Sequence, residues 1–267
     1  MSDQSQQLAV RDARLAIIQA GYELRDFARN RVRMAFTFGF PLIFLLLFGS
    51  INKNSHVSQY GGISYDQFFV PGILAYAVIT TSFVNIAIGT AMLRDNGVMK
   101  RMQGTPLPLW SYMAGRIGST LVIVLVMTVL TLLIGNLAFA VTLPSGTLPG
   151  TILMLLLGTG AFTALGVGIV RIIPNADAAP AVVNLVMLPL TFISGIWYPT
   201  ATMPSWLNDI AKVFPVRALA DGLQHAFNPH TTGTGLRGGD LLTLLIWLVV
   251  GARLMVLFLK SPAGDRR

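Results

Sequence analysis

Residues 117–170 carry no charged side chain, and near their middle they read Leu143-Pro144-Ser145-Gly146-Thr147-Leu148-Pro149-Gly150. A helix that crosses a membrane needs about 20 apolar residues at 1.5 Å rise to span about 30 Å of hydrocarbon. The uncharged run is far too long for one such helix. Its two prolines and two glycines within eight residues form a strong turn signal. The run therefore predicts a helical hairpin, two spans at about 117–141 and 150–170. Working outward, the same criterion finds uncharged runs at 34–51, 68–92 and 181–197 and a further apolar run at 241–259. Pro41 is tolerable in the first because a neighbouring helix can satisfy the freed carbonyl. Arg253, near the inner end of the last run, can snorkel to the interface. The predicted fold is all-α, a polytopic membrane protein of six transmembrane helices.

Composition agrees. The 267 residues are 54% hydrophobic and 11% charged, where soluble domains hold about 25% charge. That length suffices for one membrane domain and leaves no room for a second soluble domain of ordinary size. We divide it into an N-terminal segment at 1–33, a six-span domain at 34–260 and a tail at 261–267. The net charge of +8 is not read as a nucleic-acid footprint, because basic residues in membrane proteins collect in cytoplasmic loops. Arg11, Arg14, Arg25, Arg29, Arg31, Arg33, Arg94, Lys100, Arg101, Arg116, Arg171, Arg253, Lys260, Arg266 and Arg267 fall on one side of the predicted topology. Only Lys53, Lys212, Arg217 and Arg237 fall on the other. The positive-inside rule thus predicts both termini on the cytoplasmic side of the cell membrane. The N-terminal segment lacks a signal peptide's short apolar core and cleavage site, and is expected to stay on the protein.

Two segments outside the spans have helical periodicity. Ala9, Ala13, Ile17, Ala20, Leu24 and Phe27 recur at steps of three and four, opposite Arg11, Arg14, Arg25 and Arg29, which predicts an amphipathic helix on the inner interface. Trp206, Leu207, Ile210, Val213 and Phe214 form one stripe, Pro215 breaks it, and Leu219, Ala220, Leu223 and Phe227 resume it. These predict two short helices dipping into the outer leaflet before the last span.

The chemistry-bearing residues exclude more than they suggest. The chain has no cysteine, so thiolate metal sites and thiol nucleophiles are out. It contains no Gly-Lys pair, hence no phosphate-cradling loop of the usual type, and no Gly-x-Ser-x-Gly elbow. Asp221 and His225 lie one helical turn apart with His230 nearby, but with three histidines in all they read as a solvated face rather than a metal site. No catalytic, cofactor-binding or metal-ligating residue is expected on this chain. The predicted spans hold almost no charge, which disfavours an ion relay. Asn85, Asn136 and Asn184 remain as polar residues within spans. They are expected to face other helices, and are the only pathway polar groups we single out.

The second cytoplasmic loop reads Leu93-Arg94-Asp95-Asn96-Gly97-Val98-Met99-Lys100-Arg101-Met102-Gln103-Gly104-Thr105-Pro106. It predicts one short helix over 93–103, stopped by Gly104 and Pro106, whose adaptable side chains Val98, Met99 and Met102 suit a docking surface.

At these residues the chain resembles the ABC-2 type exporter permeases, particularly the daunorubicin-type drug exporter branch. In the loop, Gly97, Arg101, Thr105 and Pro106 match the family's pattern in register, while Val98 and Lys100 depart from it. A second patch, Ser194-Gly195-Ile196-Trp197-Tyr198-Pro199 leading to Met203-Pro204, then Ile210, Phe214 and Pro215, is similar to the family's outer re-entrant region. The resemblance covers almost the full length. It implies a separate ATPase subunit carrying ATP and Mg, and a second permease subunit, alike or different. It further implies coupling through the loop helix, with Leu93, Arg94, Asp95, Gly97, Met99, Lys100, Arg101, Met102, Thr105 and Pro106 as coupling residues. Arg25, Arg29 and Arg31 on the N-terminal helix would form a second contact. The expected function is the permease subunit of an ATP-driven exporter of a hydrophobic or amphipathic substrate, a drug, lipid or glycolipid. Two other classes stay open: a secondary transporter, which needs paired ionisable residues or broken helices at mid-membrane, and a membrane-embedded transferase, which needs convergent acid, base or metal groups.

Overall fold

The structure, a computed structural model, describes residues 3–104 and 109–260. It is helical nearly throughout, with a single two-residue hairpin pairing, β1 (His56–Val57) against β2 (Ile63–Ser64). An N-terminal helix α1 (Asp3–Arg29) ends at Asn30, whose side-chain oxygen accepts from Arg33 N at 2.9 Å and starts α2 (Arg31–Ile51). Ser64 caps α3 (Tyr65–Asp95) through Gln67 N, with Asp66 in the first turn where the helix dipole favours an acid. The short α4 (Val98–Gln103) follows. Next come α5 (Leu109–Phe139) and α6 (Leu148–Ile169), the hairpin read from the uncharged run. After α7 (Ala179–Ile193) come α8 (Ser205–Val213), α9 (Pro215–Phe227) and α10 (Gly238–Lys260).

Five of these helices, α2, α3, α5, α6 and α10, are long and apolar enough to cross a membrane. The most apolar window of α3 is 72% buried against the rest of the protein and that of α10 only 11%. Thus α3 lies at the centre, and α10 turns Leu242, Ile246, Val249 and Leu257 outward. In water so broad an apolar exterior would aggregate; in a bilayer it is the solvent-facing surface. The fold is that of an all-α polytopic membrane protein.

Boundaries shift from the sequence reading in three places. Helix α3 starts at Tyr65 rather than 68 and α5 at Leu109 rather than 117, which draws Asp66 and Arg116 into helices whose ends were expected to stop short of them. The fifth predicted span ends at Ile193, because Ser194 and Gly195 begin a turn with Gly195 at φ +80°. Its 15 residues rise about 22 Å, and non-helical chain continues to Pro199.

Two helices hold short π-helical turns, Ala35–Gly39 in α2 and Thr80–Val84 in α3. Such turns free backbone groups and are enriched at functional sites. Asn85, just past the second, donates to Thr37 Oγ1 in the first at 3.2 Å. Asn85 thus faces another helix as expected. Asn136, in contrast, is exposed and donates to Val141 O at 3.1 Å, closing the end of its own helix. Asn184 lies on an exposed face of α7.

Candidate functional site

The two predicted functional patches lie at opposite ends of the bundle. At the end where the arginines gather, the segment 93–103 is not one helix. Leu93, Arg94 and Asp95 form the last turn of α3; the chain then breaks at Asn96 and Gly97, with Gly97 at φ +67°, and α4 starts at Val98. An Asn-Gly step is a turn signal, and here the left-handed glycine prevails over the helical periodicity around it. Arg94 bridges to the turn after α6: its Nη1 donates to Val170 O and Ile173 O at 2.9 Å each, and Nη2 to Pro174 O at 3.3 Å. Asp95 joins the same clasp, accepting from Arg94 Nε at 2.8 Å and from Ala176 N at 2.5 Å. One arginine thereby ties together three carbonyls of the turn that follows α6.

The side chains of α4 differ from expectation too. Leu93 and Met99 pack against the core and Val98 is half-buried, whereas Lys100 and Arg101 are exposed. The apolar residues anchor the helix, and its open face is charged. Arg101 bonds back to Asn96 O at 3.2 Å, bracing the break. Met102 belongs to α4, but its side chain, like Thr105 and Pro106 entirely, lies outside the described residues, as does the tail at 261–267. Arg25, Arg29 and Arg31 are all exposed around the α1–α2 elbow. Helix α1 presents Ala16, Gln19, Ala20 and Phe27 to the protein, while Ile17, placed on the apolar stripe by periodicity, is 73% exposed.

The opposite end is built around α9. It was expected to dip into the outer leaflet, yet nearly every residue of it is buried among α3, α6 and α10. Asp221, read with His225 as a solvated face, instead forms a buried ion pair with Arg217 at 2.6 Å. Arg217 Nη2 also donates to Thr200 Oγ1 at 2.9 Å, and Gln59 Nε2 donates to the same oxygen at 3.1 Å. Gln224 accepts from Tyr60 Oη at 3.0 Å and donates to Gly195 O at 2.8 Å. Gln67 of α3 reaches Phe227 O at 2.7 Å and Thr142 O at 3.1 Å. Burial pushes the Asp221 carboxyl upward against the pull of Arg217, and pushes the Tyr60 phenol up as well.

The second predicted patch forms the other wall of this network. Ser194 is buried and donates to Thr191 O at 2.7 Å. Gly195 needs its positive φ and has no room besides: an added Cβ would lie 2.8 Å from Thr200 Cγ2. Trp197 sits among Phe44, Phe48, Phe69, Tyr76 and Phe192 at centroid distances of 5.1–6.3 Å, and Tyr65 Oη bonds its carbonyl at 3.0 Å. Met203 N closes a 3₁₀ turn onto Thr200 O at 3.1 Å. Pro199 ends the turn after α7, Pro204 caps α8, and Pro215 occupies the first turn of α9. The structure therefore brings Ser194, Gly195, Pro199, Met203, Pro204 and Pro215 to one end, and Leu93–Arg101 with Arg25, Arg29 and Arg31 to the other. Sequence reasoning missed Arg217, Asp221 and Gln224, although their i, i+4, i+7 spacing marks one polar helix face.

Among the described residues no three histidines or acids are placed to hold a metal ion. What the geometry offers is mechanical. One end is a charged, clasped elbow and the other a packed plug, with helices α3 and α6 running between them.

The chain is 23% identical to the inner membrane transport permease YadH of Escherichia coli over 185 residues, 69% of this chain and 71% of that one. It is 24% identical over 238 residues to the putative transport permease ycf38 of Porphyra purpurea, covering 83% and 80%. To the probable multidrug ABC transporter permease YbhR of Escherichia coli it is 22% identical over 159 residues, 60% of this chain and 43% of the relative. The ABC-2 type transporter model matches residues 17–228, both ends of the bundle included, and the chain belongs to the ABC-2 type transporter family.

Proposed function

We propose that this transport permease is the membrane subunit of an ATP-driven exporter, paired with a separate ATPase that binds ATP and Mg. In this reading both termini and the arginine-rich end face the cytoplasm, and a hydrophobic or amphipathic molecule, such as a drug, lipid or glycolipid, moves outward along a path completed by a second permease subunit. The observation that carries the reading is the Arg94–Asp95 clasp. A partner that pushes on the charged face of α4 moves the end of α3, and through Arg94 it moves the turn linking α6 to α7. One contact thus drives two loops, which an external engine needs in order to tilt helices together. Leu93, Gly97, Met99, Lys100, Arg101, Met102, Thr105 and Pro106 complete the coupling surface, Arg25, Arg29 and Arg31 flank it, and Asn85 marks the π-turn hinge.

The test is reconstitution with the ATP-binding subunit. Arg94→Ala should lower substrate-stimulated ATP hydrolysis about tenfold while the two subunits still copurify, the loss expected from one charge-assisted hydrogen-bond set. Undiminished stimulated hydrolysis in that variant would refute coupling through the clasp.

A further inference from the structure

At the arginine-rich end the structure buries a cation that the clasp does not use. Arg116, in the second turn of α5, is 2% exposed. Its Nη1 donates to Tyr112 Oη at 2.7 Å, and its Nε is buried with no partner among the described residues. Helix α1 covers it from one side, where an added Cβ on Gly115 would meet Ala16 O and Gln19 Cβ at 2.7 Å. From α3, Gly89 leaves the space that Nη2 occupies, with an added Cβ only 3.0 Å away. Among the described residues no carboxylate lies within salt-bridge distance of Arg116. Arg33 lies within electrostatic range of Arg116, and the Glu23 carboxylate lies within range of both Arg33 and Tyr112. Arg33 is the open member, its side chain 27% accessible beside the ring of Phe27 and a weak 3.8 Å contact to the exposed Asp26.

Burying a guanidinium without its counter-charge costs several kcal/mol or more, and a second guanidinium within electrostatic range raises the cost. A fold tolerates that where an anion completes the set. Water-soluble acids of a partner would have to reach between α1, α3 and α5. A lipid phosphate is delivered to this depth by its own acyl chains, and arginine grips phosphate through a planar fork. We propose that Arg116 and Arg33 form a binding site for the phosphate headgroup of an anionic amphiphile, entered past Arg33 at the α1–α2 elbow and closed over by α1.

The site is independent of the exporter reading, and its test needs neither ATPase nor substrate. The full chain in POPC nanodiscs is titrated with POPG, with bound lipid counted by native mass spectrometry after release and thermal unfolding followed in parallel. POPG should be retained and raise the midpoint, and Arg116→Gln or Arg33→Gln should weaken retention at least about tenfold, one charge-assisted hydrogen bond. Arg14→Gln, on the exposed face of α1, should leave retention unchanged. Because Arg116→Gln can simply fold poorly, Arg116→Met serves as a second variant. It should unfold no lower than the unmodified chain in POPC alone, since an uncompensated buried charge is removed, yet gain nothing from POPG. Inorganic phosphate added to POPC discs distinguishes the sources: stabilisation equal to that from POPG assigns the site to free phosphate, and a smaller one assigns it to the lipid. Equal retention of POPG by the unmodified and Arg116→Met chains overturns the proposal, as does a POPG gain matched by extra POPC.

Discussion

The two ends of this permease are built from the same residue types and hold them in opposite ways. Arg94 and Asp95 clasp the arginine-rich end with side chains 24% and 30% accessible. Arg217 and Asp221 pair at the other end with side chains 7% and 12% accessible, inside a network that binds Gln59, Tyr60, Thr200 and Gln224. An exposed pair is worth little in stability and can be remade as loops move. A buried one is costly to break and fixes one arrangement of its neighbours. In the proposed function, the contrast suits an ATPase-facing end that must yield and an opposite end that must hold until driven.

Asp221→Ala should give the largest effect. It strands Arg217 in a buried site and should destabilise the protein by about 3–5 kcal/mol, seen as a fall in thermal midpoint in detergent. Arg217→Met together with Asp221→Leu should recover most of that loss, because removing both charges removes the desolvation cost as well. Gly195→Ala comes next: a left-handed φ with a side chain costs about 1–2 kcal/mol, and the crowding against Thr200 adds to it. By the same unfolding assay Arg94→Ala should cost only about 1 kcal/mol, since water can replace part of what is lost. Lys100→Ala should be neutral within about 0.5 kcal/mol. Equal losses for Asp221→Ala and Arg94→Ala would erase the distinction between the ends.

Most of the fold was legible because lipid enforces one rule on long segments. Uncharged runs place α2, α3, α5 and α6, an apolar run interrupted only by Arg253 places α10, and the Leu143–Gly150 turn places the hairpin. The same rule misplaced the starts of α3 and α5, since Asp66 and Arg116 count as stop signals in a sequence, whereas the structure buries both, Asp66 in a helix's first turn and Arg116 beneath α1. The α9 segment misled for a related reason. Its polar face and its apolar stripe describe a helix half in lipid just as well as one buried on all sides with its polar face satisfied. Only the partners Thr200, Gln59 and Tyr60, more than fifteen residues distant in sequence, decide between the two. At the other end, periodicity around Val98 and Met102 masked the Asn96-Gly97 break, whose backbone angle is set locally. Which face of α4 stays open was equally hidden, because Met99 and Leu93 find the core only once α3 and α6 are packed.

In the proposed function the arginine-rich end receives an ATPase while the opposite end faces outward. The chain has no cysteine, so single-cysteine variants report without background. Lys100→Cys, coexpressed with the ATP-binding subunit in intact cells, should crosslink to that subunit and resist a membrane-impermeant maleimide added outside, while Asp209→Cys on the exposed face of α8 should react with the maleimide. Labelling of Lys100→Cys from outside, with no crosslink formed, would contradict the account.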